Sequence, residues 1–202
     1  MSFWKLVSYV LHPLWVPSLA MALVLATHPS LSLLIPTAGQ WRLVAFVFVF
    51  TAVIPGVTVV YMKRFGLVKS LELPQRKHRR LPLLVACLSF SAAFYMLRSA
   101  IPLPLIELLM LSGMLLMGLA LLITLFYKIS MHMMAWGAIT GQLLALGPWQ
   151  VQGFLFWFSL AVLCSGLAAS SRLALKAHAG HELVAGFGLG FVVTGGLFQI
   201  LL

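Results

Sequence analysis

Seven stretches of this chain are long and apolar enough to cross a lipid bilayer, at about residues 6–27, 42–62, 81–98, 103–127, 131–147, 151–170 and 183–202. A hydrocarbon core of about 30 Å takes roughly 20 such residues, and a backbone inside it must bond to itself, so each stretch is expected to be a helix. The expected fold is all-α: a polytopic transmembrane helical bundle of about six to seven spans. Residues 1–202 then form a single integral membrane domain, because the connections leave no room for a soluble one. Hydrophobic residues make up 62% of the chain and charged residues 8%, against about half and a quarter in soluble domains. Pro13 and Pro17 single out the first span as one that would kink or turn back. No clean cleavage site follows that span, so it reads as retained rather than as a signal peptide.

The formal net charge of +10 does not point to nucleic acid, since a basic binding surface needs polar faces that this chain lacks. The charge is concentrated instead. Seven of the thirteen lysines and arginines lie in one connection, residues 63–80. Alternating the spans places that connection, the segment 128–132 and the segment 171–182 on the same side as the N-terminus. All three polar clusters therefore fall at one end of the bundle, which suggests one shared site. Arg98 and Glu107 fall at the other end and read as a structural ion pair.

The densest cluster is "SRLALKAHAGHELVAG", residues 171–186. His178 and Glu182 are four apart, so on a helix a carboxylate would sit beside the imidazole. A carboxylate that holds one ring nitrogen leaves the other as a base or nucleophile. Taken singly, Arg172, Lys176 or His178 is equally an ordinary juxtamembrane residue facing lipid phosphates. The combination is more telling, because the chain has only three acidic residues. His132 is by itself most simply an interfacial histidine, and gains interest from lying on the same side as His178. His12, His28 and His78 lack partners at recognisable spacing and read as structural. Cys87 and Cys164 lie in apolar runs and offer neither a disulfide framework nor a metal spacing, and the histidines form no metal cluster.

The 171–186 segment resembles the third signature of the type 2 phosphatidic acid phosphatase and vanadium haloperoxidase superfamily: Ser-Arg, five residues, His, three residues, Asp. Glu182 stands where the family usually has Asp. "ISMH", Ile129 to His132, is similar to the second signature, Pro-Ser-Gly-His, keeping Ser130 and His132 and lacking the Pro and Gly. The first signature, Lys, six residues, Arg-Pro, is approximated in "KSLELPQRKHRRLP" in two registers. Lys69 and Arg76 have the spacing, whereas Arg80 has a proline two residues on. The three signatures occur in family order within residues 69–186.

This resemblance implies a phosphatase acting on a lipid phosphate or pyrophosphate through a phosphohistidine, without metal or other cofactor. His178 would be the nucleophile, Glu182 its orienting partner and His132 the general acid. Arg172 with Lys69, Arg76 or Arg80 would clamp the phosphate, joined by Lys128 and Ser130, while Ser171 and His181 would be accessory. Arg79 is expected to face water or headgroups. Phosphoryl transfer needs positioning and fixed positive charge, which guanidinium groups supply. The resemblance further implies a multi-pass protein of the bacterial cytoplasmic membrane with its site on the outer face, while eleven of the thirteen basic residues on the site side argue by the positive-inside rule for the inner face.

Two other classes compete. The altered second signature would suit a catalytically weak or inactive protein of the same fold that binds or transports lipid phosphates. A small transporter would call for an inverted repeat, and none is evident. The expected partners are a lipid phosphate and membrane lipids. Gly137 with Gly141 and Gly186 with Gly190 form small-residue pairs that allow two helices to approach closely; they serve equally as an internal packing face or as the contact of a homo-oligomer.

Overall fold

The computed structural model describes residues 2–68, 70, 73 and 75–202. Among these residues the chain forms helices and no strand. In order they are α1 (Phe3–Val10), α2 (Val16–Thr27), α3 (Pro29–Leu34), α4 (Thr37–Phe48), α5 (Ile54–Arg64), α6 (Arg76–Ala100), α7 (Pro104–Thr124), α8 (Met131–Gln150), α9 (Phe154–Ala174) and α10 (Gly180–Leu201). Five uninterrupted helical segments among the described residues are long and apolar enough to cross a membrane: Thr37–Arg64, α6, α7, α9 and α10. α8 has 20 residues and is broken at Gly147, whose φ of 65° is accessible to glycine at no steric cost. The protein is an all-α, polytopic helical bundle.

The first expected span is not one helix. α1 ends at Val10, a turn occupies residues 11–15, and α2 has 12 residues, too few to cross a bilayer alone. Proline is the physical reason. The ring of Pro13 disfavours a helical conformation at His12, and Pro17 sits at the start of α2, where its missing N–H costs nothing. α1 is thus released from the line of α2 and packs against α9.

Thr37–Arg64 remains continuous through a π-helical turn at Val49–Val53. Pro55 lies just beyond and has no N–H to give, so the preceding turn widens and a carbonyl is left over. Ser89 of α6 fills the gap, its hydroxyl donating to the Phe50 carbonyl at 2.5 Å.

The tightest pair is α8 with α10. A Cβ placed on Gly137 or Gly141 would strike the backbone of Phe187 or Phe191, and one on Gly186 would lie 2.6 Å from the Ser130 carbonyl. The two glycine pairs therefore face each other across one interface within the chain, and backbone meets backbone. At the opposite end of the bundle Arg98 Nε lies 3.8 Å from Glu107 Oε2, with Arg98 mostly exposed. Such a pair contributes little to stability.

Candidate functional site

Arg172 is buried in the last turn of α9. The helix ends two residues later with Lys176 in the left-handed region, φ 50°, and Ala177 N–H bonding back to the Arg172 carbonyl at 3.0 Å. This is the geometry of a Schellman cap, and it reverses the chain. The five residues between Arg172 and His178 are the length of that reversal, so the arginine and the histidine return to the same end of the bundle.

α10 begins at Gly180, after His178. The contact between His178 and Glu182 is therefore not a pair on the face of a regular helix, as their spacing suggests. Glu182 occupies the third position of the first turn and reaches back: Ala179 N–H donates to Glu182 Oε2 at 3.2 Å, and His178 Nδ1 lies 2.7 Å from the same oxygen. A carboxylate can only accept, so Nδ1 carries the proton and Nε2 is left with its lone pair. Lys128 Nζ lies 3.8 Å from Glu182 Oε2 and donates to the Ala177 carbonyl at 2.7 Å, tying the 125–130 segment to the turn. Burial lowers the pKa of His178 to about 4; the hydrogen bond to Glu182 opposes the shift, and Arg79 and Lys128 add to it.

His132 is buried in the first turn of α8. Its Nε2–H donates to the Ser8 carbonyl at 3.2 Å and lies 3.4 Å from the Ser8 hydroxyl. That hydroxyl accepts from Arg172 Nη1 at 2.8 Å. α1 is thereby fixed across the site, with Ser8 bridging the arginine and the histidine. His12, in the turn after α1, meets His132 edge to face with ring centroids 5.2 Å apart. Its pKa is pushed down to about 4, by burial first and by Arg172 second.

A cavity of about 650 Å³ opens from this cluster into the bundle. Arg79, His132, Arg172, His178 and His12 line its polar end. Arg79, Leu83, Ala86 and Phe90 follow one face of α6 into it, and His132, Ala135, Ile139 and Gln142 do the same on α8. The eleven helical steps from Arg79 to Phe90 advance about 16 Å, roughly half of a hydrocarbon core. The cavity thus joins a cationic, imidazole-rich mouth to an apolar interior.

The remaining expected residues are distributed unevenly. Arg79 enters the cavity, donating from Nε to the Leu73 carbonyl at 2.7 Å and from Nη1 to the Ile129 carbonyl at 3.3 Å. Arg76 and Arg80 are exposed and do not line it; Arg76 donates to the Phe126 carbonyl. The reason is helical phase, since α6 begins at Arg76 and turns residue 79, rather than 76 or 80, inward. Lys69 lies outside the described residues. Ser130 is fully buried under α10, its N–H on the Glu182 carbonyl at 3.3 Å and its hydroxyl without a partner among the described residues. The Ser171 hydroxyl donates to the Ala168 carbonyl of its own helix at 2.8 Å. His181 is exposed, with its ring 5.9 Å from that of Tyr127. Among the described residues no three His, Cys, Asp or Glu side chains are grouped to hold a metal ion.

Ser8 and His12 are contributors that sequence reasoning missed, and so is Arg79, which the spacing turns toward water or headgroups and the structure places in the cavity. A signal exists in retrospect: Lys5, Ser8, Tyr9 and His12 recur at the spacing of one helical face within an otherwise apolar stretch. Compared with known proteins, the chain matches no protein-family model, no curated protein and no solved structure.

Proposed function

We propose that the protein is a membrane-embedded phosphatase that hydrolyses a lipid phosphate or pyrophosphate through a phosphohistidine. The observation that carries this reading is the 2.7 Å bond from His178 to Glu182 at the mouth of a cavity that also holds Arg79 and Arg172. His178 Nε2 attacks phosphorus while the ester P–O bond breaks, and His132, entering the step as the imidazolium, gives a proton to the departing oxygen. Water then attacks the phosphohistidine, the P–N bond breaks, and His132 takes the water's proton as inorganic phosphate leaves. Arg79 and Arg172 offset the charge on the phosphoryl oxygens, and Glu182 stabilises the imidazolium character that develops on His178. The apolar cavity gives the lipid tail a place to lie while its headgroup meets the cations. To reach Arg172 and His132 the phosphate takes over the bonds that Ser8 makes with them.

The test is release of phosphate by purified protein from a panel of lipid phosphates and pyrophosphates. His178→Ala removes turnover, and acid-quenched wild type carries phosphate on histidine. Full activity in His178→Ala would reject the assignment.

A second reading, a protein of the same architecture that binds or carries lipid phosphates without hydrolysing them, has one observation in its favour: the His132 proton is already committed to the Ser8 carbonyl. Binding without phosphate release would select it. On the resemblance of its signatures we place the protein in a bacterial cytoplasmic membrane with the site facing outward. Labelling of Lys176→Cys in intact cells, with Cys87 and Cys164 replaced by serine, tests the orientation.

A further inference from the structure

We propose that His12 and Lys5 contact the leaving group, and that the substrate is a lipid diphosphate whose second phosphate lies against this face of α1. The inference rests on the phosphatase reading for its chemistry but on separate residues for its geometry. His12 Nδ1 accepts the Leu14 N–H at 3.3 Å, which fixes the tautomer and places the ring proton on Nε2. That Nε2–H has no partner among the described residues, and His12 lines the cavity. The ring is therefore a neutral donor facing open space, and the low pKa given it by burial and Arg172 keeps it neutral.

Its position relative to the acid identifies what it faces. His132 stands beside the oxygen that departs, and His12 packs against His132 edge to face. A group in that place is next to whatever the departing oxygen carries. In a lipid monophosphate this is a hydrocarbon chain, and a buried N–H facing hydrocarbon loses its hydration without return. In a diphosphate it is a second phosphoryl group, rich in acceptors. Lys5, in α1 and seven residues before His12, also lines the cavity and brings a positive charge suited to that group. In the reaction His178 Nε2 bonds to the terminal phosphorus, the P–O bond to the bridging oxygen breaks, and a lipid monophosphate leaves held by His12 and Lys5.

The experiment compares farnesyl diphosphate with farnesyl monophosphate as substrates, scored as kcat/KM. Wild type is expected to prefer the diphosphate by about tenfold or more, and His12→Ala and Lys5→Ala each to lose about tenfold on the diphosphate and less than about threefold on the monophosphate. His12→Gln, which keeps a donor, recovers part of the loss. Equal losses on both substrates, or no preference in wild type, overturn the proposal. Lys5 is exposed, so Lys5→Ala keeps the test available if a His12 variant fails to fold. A parallel binding arm uses the non-hydrolysable farnesyl methylenediphosphonate and farnesyl phosphonate. If wild type releases no phosphate, the phosphatase reading fails, and a diphosphonate preference that His12→Ala abolishes still upholds the α1 contact. Indifference of binding to His12 and Lys5 rejects it.

Discussion

His178 is held at Nδ1 and open at Nε2, and its reactivity depends on that nitrogen staying unprotonated. Burial lowers its pKa to about 4. Between about pH 4 and its ordinary value near 6.5, the unfolded chain therefore binds more protons at this residue than the folded one. Stability contributed by His178 rises with pH through that window and is lost on acidification, and His12 titrates in the same direction. The same sign applies to turnover. The acid limb of kcat/KM, corrected for the substrate's own ionisation by phosphorus NMR, is expected with a midpoint near 4. A midpoint at or above the ordinary histidine value would show that burial does not lower the pKa of the group that must stay unprotonated. The clamp gives a second prediction at this scale. Arg79→Ala is expected to lower kcat/KM by about tenfold to a hundredfold, the worth of a charge-assisted hydrogen bond. Arg76→Ala and Arg80→Ala are exposed changes and stay within about threefold. Severe loss in Arg80→Ala with a mild Arg79→Ala would return the phosphate to the proline-marked register. Spacing to a neighbouring proline is a one-dimensional cue, whereas the start of α6 at Arg76 decides which of the four lysines and arginines within residues 76–80 turns inward.

Helices and their ends explain why some of the site was legible and some was not. The 171–186 cluster survives translation into structure because its spacing is set by local geometry: one helix end, one reversal and one first turn, all encoded by adjacent residues. That α8 and α10 each carry a face for close approach was legible too, since glycines four apart on an apolar helix allow it, but whether the two faces meet each other or a second copy was not. α1 was not legible as a separate element, because an apolar run broken by two prolines reads equally as a kinked span or as two helices. Its contacts with Arg172 and His132 join residues more than a hundred positions apart. The α8–α10 interface can be tested directly. At Gly190 an added Cβ would collide with the Met134 backbone, while at Gly188 it would meet nothing within 4 Å. Gly190→Val is expected to separate the helices that carry His132 and Glu182, lowering the melting temperature and abolishing turnover. Gly188→Ala, in the same helix, is expected to leave activity intact and to stabilise by up to about 1 kcal/mol through helix propensity. Thermal melting in detergent, read beside phosphate release, distinguishes an interface from a generic effect of losing glycine.

At the scale of the whole molecule the bundle sets a cationic mouth at one end of a cavity and an apolar wall through its depth, so on the proposed function headgroup and tail would be recognised at separate places. The wall includes successive turns of α6 and α8, and most of its lining is apolar, with Ala20, Gly56, Ala86 and Gly113 among the small residues that border it. Ala86 is the plainest of these: buried, lining the cavity, and about two turns inward from Arg79. Replacing it with phenylalanine adds a ring to open space rather than to packed core, so the usual cost of overpacking, about 1–3 kcal/mol, is largely avoided and the fold is retained. The ring would shorten the cavity near its middle. Ala86→Phe is accordingly expected to reduce kcat/KM for a long-chain lipid phosphate by about tenfold or more, while a short alkyl phosphate, whose tail ends above the new ring, changes by less than about twofold. The measurement is initial phosphate release across a series of chain lengths on wild type and variant with matched melting temperatures. A loss that is the same at every length would place the tail in the surrounding bilayer rather than in the protein, and would leave the cavity as a path for water or for the released phosphate.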